Sequence, residues 1–529
     1  MSRVKIGWSE ISITPEKKVS LYGQFAERIS EYVEKPLMAS AMAVECGGDQ
    51  MVICSTDLVG VPDNIVEDVR ARLLFLDAEK TARSEAPSGL DVSKIICCAT
   101  HTHTGPGFPR KANRVVSLSA DNKVLLKSML PEGKQYVEAE TAAGRADVAT
   151  PEEVLELLVT NISKCILDAW NARREASFAN AFERACVGMC RRVTYSDGTA
   201  QMWGDANTAV FTELEGGNDS GVELMYTFTG TGALRKLTGV VVNLPCPAQC
   251  VQHRKFVSPD FWGEARMLIK KHFGEEVYVL PVCGPAGDQC PVDLVRWVNP
   301  ETDANDPNLI RHDPPVRKSD PSMFDLAGMK KAGKRVANAV IDAFEDASEN
   351  GGFIYQEDVK FEHRTGFMPL PLRRTTITDY ENAKKTIRDY LRNKEGDVDF
   401  TDAAKLQPYM GIMKRFKVQD SVETIDPEVH IIRMGSVAFA SSPFELYLDY
   451  ANQIKARANS EQTFLIQLAN GTEGYLPTEK GEKHGHYSGF IASGVVGHEG
   501  GDLLVRETLK TINEMFAGDF LTYSYPEEQ

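Results

Sequence analysis

The chain has 529 residues, of which 42% are hydrophobic and 25% charged, a balance typical of a globular protein with a large core. Its formal charge of −16 at pH 7 disfavours nucleic acid and strongly anionic membrane surfaces as partners. We find no signal peptide and no run approaching the roughly 20 apolar residues of a membrane helix. Eleven cysteines, an odd number, accord with a reduced, cytoplasmic protein rather than a disulfide framework.

The first half of the chain alternates short apolar strands with amphipathic helices, which predicts an α/β fold. In chain order, the pattern predicts a hairpin of 41–46 with 51–55, helices over 64–75 and 152–173, and strands over 239–244 and 277–282. The last two strands are almost wholly apolar, as expected for strands covered on both faces.

The second half opens with an Asp- and Pro-rich stretch, 296–323, which we interpret as a candidate surface insertion. The pattern then predicts helices over 326–344 and 380–392, a hairpin of 429–434 with 437–440, a helix over 444–457 and a strand over 463–468. No internal repeat is apparent, and no flexible linker divides the chain. We therefore predict a single domain spanning residues 1–529.

Two histidines, His101 and His103, follow the apolar run 92–98 and precede the turn Gly105-Pro106-Gly107. Side chains two positions apart on a strand share a face, and a strand that breaks into a loop there can direct both toward a common centre. Two of only ten histidines lie within three positions. The pattern suits a metal or catalytic site, although a hydrogen-bonded structural pair would look the same.

Polar residues also follow several other predicted strands, as expected for a site built at the carboxyl ends of strands in an α/β sheet. Gly284-Pro285-Ala286-Gly287-Asp288-Gln289-Cys290 is the most informative of these segments. Its glycines permit a tight turn, and a thiol at Cys290 is a nucleophile if a cation or metal lowers its pKa. A buried structural cysteine is the alternative interpretation of Cys290.

At these motifs the chain resembles the neutral/alkaline (non-lysosomal) ceramidase family, as a divergent bacterial-type member. The matching segments follow the family's order: 6–15 with Leu21-Tyr22-Gly23, then 100–106, then Gly287-Asp288-Gln289-Cys290-Pro291, then Tyr475-Leu476-Pro477-Thr478 with Tyr487. The resemblance implies a large mixed-sheet α/β catalytic domain that hydrolyses an N-acyl amide, either ceramide-like or soluble. The few residues beyond Tyr475 lead us to expect no C-terminal immunoglobulin-like domain.

Carried over to this chain, the family's chemistry implies one Zn²⁺ per chain held by His101, Glu445 and Tyr475. His103 would orient substrate or move a proton, and Arg191 would stabilise developing negative charge. Cys290 takes the position of the family's nucleophilic serine, and Tyr487 matches a tyrosine that contacts substrate. The implied partner is a small-molecule N-acyl or lipid-like substrate; the oligomeric state is not indicated.

Two departures leave alternatives open. The family's second zinc histidine is missing from the segment 245–250, so a fourth ligand would be Cys250, His253, His484 or His486, or would be absent. The family's serine is replaced by Cys290, which suits a metal-independent cysteine hydrolase with His103 as base. A catalytically inactive binding protein is a third hypothesis. A structural cysteine–zinc site is a fourth, formed by Cys246, Cys250, Cys283 and Cys290.

Overall fold

The computed structural model describes residues 1–24, 26–109, 122–138, 141, 144–295, 324–349 and 352–519. The candidate insertion 296–323 lies outside the described residues. The described part is a mixed α/β structure with several mixed sheets, which confirms the predicted fold class. None of its helices is long and apolar enough to cross a membrane.

Three successive stretches of the chain share one topology. Each begins with three antiparallel strands in sheet order, passes through a helix to a fourth strand parallel to the third, and ends in a long helix. Unit 1 comprises β1 (Lys5–Ser12), β2 (Met38–Cys46), β3 (Asp49–Thr56), α1 (Asp63–Ala82), β4 (Ile95–Ala99) and α2 (Pro151–Asn171). Unit 2 comprises β5 (Ser177–Arg184), β6 (Gly221–Thr229), β7 (Lys236–Leu244), α3 (Phe261–Phe273), β8 (Tyr278–Cys283) and α4 (Asp325–Glu349). Unit 3 comprises β9 (Phe361–Phe367), β10 (Glu428–Met434), β11 (Val437–Ser441), α5 (Leu448–Arg457), β12 (Gln462–Ile466) and α6 (His498–Met515).

Further elements lie within and between the units. The further helices are Val92–Lys94, Asn122–Ser128, Gly232–Leu234, Ile377–Asn393, Phe400–Val418 and Glu479–His484. The short strands are Ser2–Arg3, Ser20–Leu21, Arg28–Ile29, Tyr32–Val33, Arg174–Glu175, Met189–Cys190, Arg192–Tyr195, Ala200–Met202, Phe211–Leu214, Phe256–Val257, Gln289–Cys290, Asp358–Val359, Leu370–Pro371, Thr424–Ile425, Glu445–Leu446 and Tyr475–Leu476.

The three sheets meet face to face in one central core. Alternate residues of each sheet, such as Met42, Val241 and Phe439, point into it, because successive side chains of a strand point to opposite faces. The other face of each sheet packs against its own unit's helices, so both faces are covered. This packing explains why the central strands are almost wholly apolar.

The helix α2 shows how sequence sets an element's bounds. Thr150 accepts a hydrogen bond from the Glu153 amide (3.1 Å), and the Glu153 carboxylate accepts one from the Thr150 amide (2.8 Å). This reciprocal capping box, with Pro151 in the first turn, satisfies backbone donors that the helix itself leaves unpaired. The helix begins at Pro151 for that reason.

Two differences from the predicted elements matter for the site. The helix predicted over 444–457 begins only at Leu448, because Glu445–Leu446 form a short strand parallel to Tyr475–Leu476. The strand predicted over 463–468 ends at Ile466. The threefold repetition of topology was also missed, since the units differ in the lengths of their connections and share no visible sequence period.

Candidate active site

Six side chains meet where the three units come together, two from each unit. Unit 1 supplies His101 and His103, unit 2 supplies Arg191 and Gln249, and unit 3 supplies Glu445 and Tyr475. Five of the six follow a third or fourth strand of their unit, and Arg191 follows the short strand Met189–Cys190. The carboxyl ends of the strands thus converge on one centre, as predicted from the polar residues that follow them.

Backbone hydrogen bonds hold these loops to one another. The Ala248 amide of unit 2 donates to the Thr100 carbonyl of unit 1 (3.3 Å), and the Gln467 amide of unit 3 donates to the Cys283 carbonyl of unit 2 (3.1 Å). The centre is therefore fixed by contacts between units as well as within them.

The strand that leads to the histidines ends at Ala99, which confirms the predicted break. His101 has a φ of +65°, a left-handed conformation that non-glycine residues adopt at an energetic cost. The turn brings the His101 and His103 rings into edge contact, with centroids 4.8 Å apart. Local strain of this kind is typical of functional sites.

The six side chains form a closed ring of contacts. The Nε2 atoms of His101 and His103 lie 3.2 Å apart. Gln249 Nε2 donates to His103 Nε2 (2.8 Å), and Arg191 donates to Gln249 Oε1 (3.2 Å) and to Tyr475 Oη (3.3 Å). Tyr475 is hydrogen-bonded to Glu445, whose Oε2 lies 3.3 Å from His101 Nε2.

The available hydrogens can be assigned around this ring. Arginine only donates, so the Gln249 oxygen faces Arg191 and its NH₂ faces His103, which makes His103 Nε2 an acceptor. His101 Nδ1 lies 2.6 Å from the Val59 carbonyl and therefore carries a proton. Unless His101 becomes an imidazolium, its Nε2 atom faces two other acceptors, His103 Nε2 and Glu445 Oε2, with no hydrogen in either contact. A cation at this point would relieve that repulsion.

The electrostatics of the ring follow from its burial. Burial, together with the neighbouring His101 and the positive charge of Arg191, lowers the pKa of His103 well below its usual value, so its imidazole is uncharged. Burial alone would raise the pKa of Glu445, but His101 and Arg191 outweigh burial and the pKa is lowered, so the carboxylate is ionised. Burial raises the pKa of the Tyr475 phenol well above its ordinary value.

Cys290, at the predicted nucleophile position, lies beside this ring. Its strand partner is Met189, two residues before Arg191. The thiol packs with Val193, Val292 and Leu294 and donates to the Val292 carbonyl (3.4 Å). Burial raises the pKa of Cys290 to about 12, although the nearby charge of Arg191 lowers it. The thiol is therefore protonated at neutral pH.

The phenol of Tyr487 is hydrogen-bonded to that of Tyr475, and the two rings make an edge contact with centroids 5.5 Å apart. The structure thus brings all seven predicted site residues into one region. The sequence pattern gave no signal for Gln249, which lies in the segment where the family's second histidine was expected. A buried glutamine between two predicted site residues becomes visible only in three dimensions.

The four candidates for an additional metal ligand are engaged elsewhere. Cys250 is hydrogen-bonded to Asp260, and His253 stacks on Phe324 with centroids 4.8 Å apart. His484 Nδ1 lies 2.9 Å from Glu215 Oε1, and His486 Nδ1 accepts from the Met202 amide (3.1 Å). The structure therefore brings none of these four into the ring.

Among the described residues, no group of three or more His, Cys, Asp and Glu side chains is arranged to hold a metal ion. The cysteine–zinc site considered for Cys246, Cys250, Cys283 and Cys290 is therefore wrong. In the ring, His101 and Glu445 converge, and Nδ1 of His101 is oriented by a carbonyl as in many metal-binding histidines. With the Tyr475 phenol, which is hydrogen-bonded to Glu445, they would supply three donors, the number of protein ligands in catalytic zinc sites.

The overall structure is similar to solved ceramidase structures. Neutral ceramidase from Pseudomonas aeruginosa matches with a TM-score of 0.62 at 15% identity, over 97% of this chain and 75% of that chain. A structure titled as ceramidase complexed with C2 matches with a TM-score of 0.61 at 16% identity, over 96% and 74%. Comparison of the sequence with family models and with curated proteins gives no match. The chain thus has the fold of the neutral ceramidases.

Proposed function

We propose that this protein is a metal-dependent hydrolase of an N-acyl amide, with one Zn²⁺ per chain held by His101, Glu445 and Tyr475. The single observation that carries the proposal is the convergence of the three candidate ligands: His101 Nε2 lies 3.3 Å from Glu445 Oε2, and the Tyr475 phenol is hydrogen-bonded to Glu445. The ceramidase fold supports an amide as the scissile bond.

When bound, zinc would polarise the amide carbonyl and lower the pKa of a neighbouring nucleophile. Arg191 remains charged, because the neighbouring Tyr475 and Glu445 raise its pKa more than burial lowers it. Its guanidinium is held by the Gly287 carbonyl (2.9 Å) and would stabilise negative charge on the substrate oxygen. His103 is uncharged and would accept a proton at Nε2.

Cys290 keeps the nucleophile position in this proposal, but the zinc-bound site would have to lower the pKa of its thiol. A metal-independent cysteine hydrolase is disfavoured, because burial raises the thiol pKa of Cys290 to about 12. Tyr487, beside Tyr475, would contact the substrate. The substrate is a small N-acyl compound or a ceramide-like lipid.

The test is hydrolysis of two substrate types, a soluble fluorogenic N-acyl amine and ceramide in detergent micelles. Protein stripped with a chelator should be inactive, and stoichiometric Zn²⁺ should restore hydrolysis of at least one substrate. The His101→Ala variant should not respond to Zn²⁺. Full activity after stripping would overturn the metal requirement, and no hydrolysis by the reconstituted protein would favour the inactive binding protein.

A further inference from the structure

Residues 481–495, which we call the strap, carry Tyr487 to the ring. Arginine side chains hold the backbone carbonyls of the strap along its length. Arg192 donates to Gly481 (3.4 Å), Gly485 (2.8 Å) and Tyr487 (2.7 Å), Arg373 to Gly489 (2.8 Å), and Arg415 to Gly494 and Val495 (both 3.1 Å). The C-terminal end of the strap also pairs with the backbone at Gly474, through the bridge to Gly494, whereas residues 485–490 belong to no sheet.

Arg192 differs from the other two because it makes a buried bidentate ion pair. Its guanidinium binds both carboxylate oxygens of Glu215, and the two side chains are 0% and 3% exposed. Glu215 Oε1 also lies 2.9 Å from His484 Nδ1, and Arg192 donates to the Ser488 hydroxyl (3.2 Å). One guanidinium therefore joins the strap to the segment of unit 2 that carries Glu215. The Glu215 carboxylate compensates the charge of this guanidinium.

The backbone of the strap adopts a costly conformation around Tyr487. Gly485, His486 and Ser488 have φ values of +69°, +64° and +69°, all in the left-handed region. For His486 and Ser488 this conformation is costly, so it persists only where the surroundings enforce it. The Arg192 contacts at Gly485, Tyr487 and Ser488 fall on this stretch.

These contacts bear directly on the ring, because the shortest contact of Arg192 with the strap, 2.7 Å, is to the carbonyl of Tyr487 itself. Tyr487 is hydrogen-bonded to Tyr475, which is also contacted by Arg191, the chain neighbour of Arg192. Two adjacent arginines thus contact the same tyrosine pair. Arg191 donates to the Tyr475 hydroxyl, and Arg192 donates to the backbone carbonyl of Tyr487.

We infer that Arg192 is a positioning residue that fixes Tyr487 against Tyr475 by holding the strap in its left-handed conformation. It acts through the strap and does not touch substrate. Its effect on turnover rests on the proposed hydrolase function, whereas its effect on the strap does not.

The experiment is hydrogen–deuterium exchange on the full chain, comparing wild type with Arg192→Lys and with the double variant Arg192→Met/Glu215→Gln. The double variant removes both charges, so no unpaired carboxylate is left buried. Amides of 485–490 should exchange at least tenfold faster in both variants, and less so with lysine than with methionine. Arg173→Lys is the matched control, because Arg173 also pairs with a carboxylate, that of Glu45, and with a carbonyl, that of Trp170. It should leave the strap unchanged.

The kinetic readout accompanies the exchange measurement. Both variants should bind zinc as wild type does and should lower kcat/KM at least tenfold, mostly through KM, since Tyr487 is placed to contact substrate. Unchanged exchange at 485–490 would overturn the inference, whatever the activity. Faster exchange with unchanged kcat/KM would overturn the link between Tyr487 and turnover. A wild-type protein without hydrolase activity would refute the proposed function and leave the exchange result to decide the role of Arg192.

Discussion

The imidazoles of His101 and His103 face each other through their Nε2 atoms, 3.2 Å apart, with the Glu445 carboxylate 3.3 Å from the first. Neither contact has a hydrogen available while His101 uses its proton at Val59 and His103 accepts from Gln249. A buried arrangement of acceptors is unfavourable unless a cation or an additional proton occupies it. The proposed zinc site rests on this relationship.

Gln249 orients two members of the ring, so its loss should affect more than packing. In Gln249→Leu, Arg191 loses an acceptor and His103 loses its donor, which should cost about 1–3 kcal/mol of unfolding free energy and lower kcat/KM at least tenfold. Gln419→Leu is the matched control, because Gln419 is also buried and both atoms of its amide are bonded to the Thr375 backbone. Urea unfolding and kinetics of both variants provide the measurement. Equal loss of activity in the two would show that Gln249 has no specific role.

Gly23 packs against His103, so a side chain there should displace the imidazole. A Cβ on Gly23 would lie 2.5 Å from His103 Cγ, whereas a Cβ on Gly48 would meet nothing within 4 Å. Both glycines have positive φ, +101° and +89°, so both alanine variants bear the backbone cost of about 1 kcal/mol. Only Gly23→Ala should also lower kcat. Similar kcat values in Gly23→Ala and Gly48→Ala would argue against a role for His103.

Thiol labelling tests the environment of Cys290. Cys186 is exposed and Cys290 is buried, with the Cys290 pKa raised to about 12, so iodoacetamide at pH 7.5 should modify Cys186 and spare Cys290 in the metal-free protein. Peptide mass spectrometry of wild type and Cys186→Ser provides the measurement. Rapid modification of Cys290 without metal would instead support the metal-independent cysteine hydrolase.

The ion pair of Glu428 should make the free energy of unfolding depend on pH in the acidic range. Burial would raise its pKa, but hydrogen bonds from Arg70 and His430 outweigh burial and hold the pKa at about 2, against an ordinary value of 4.5. Because the folded-state pKa is depressed, its stabilisation is full above pH 4.5 and is lost as the pH falls through about 2. The difference in unfolding free energy between wild type and Glu428→Gln should therefore shrink over this range. Exposed Glu362→Gln is the control, and a difference independent of pH would contradict the ion pair.

Sequence patterns predicted most elements of the fold because the strands and helices have clear apolar periods. They missed the strands β5, β6 and β9 and the helices α3, α6 and Phe400–Val418. They also misjudged Glu445, since its short strand exists only through pairing with Tyr475 thirty residues later. The candidate site was found by resemblance at its histidines, Cys290 and tyrosines. Gln249, the His101 φ and the Arg192 contacts depend on distant parts of the chain and leave no local pattern.

The most direct test of the account is the zinc content of purified wild type, His101→Ala and His272→Ala, measured by inductively coupled plasma mass spectrometry. His272 is a partly exposed histidine paired with Glu345 at the surface, so its variant removes an imidazole without touching the ring. The account predicts about one zinc per chain in wild type and His272→Ala, since three donors and an open position make a catalytic site, and almost none in His101→Ala. Equal zinc in all three proteins, or none in any of them after growth with added zinc, would contradict it.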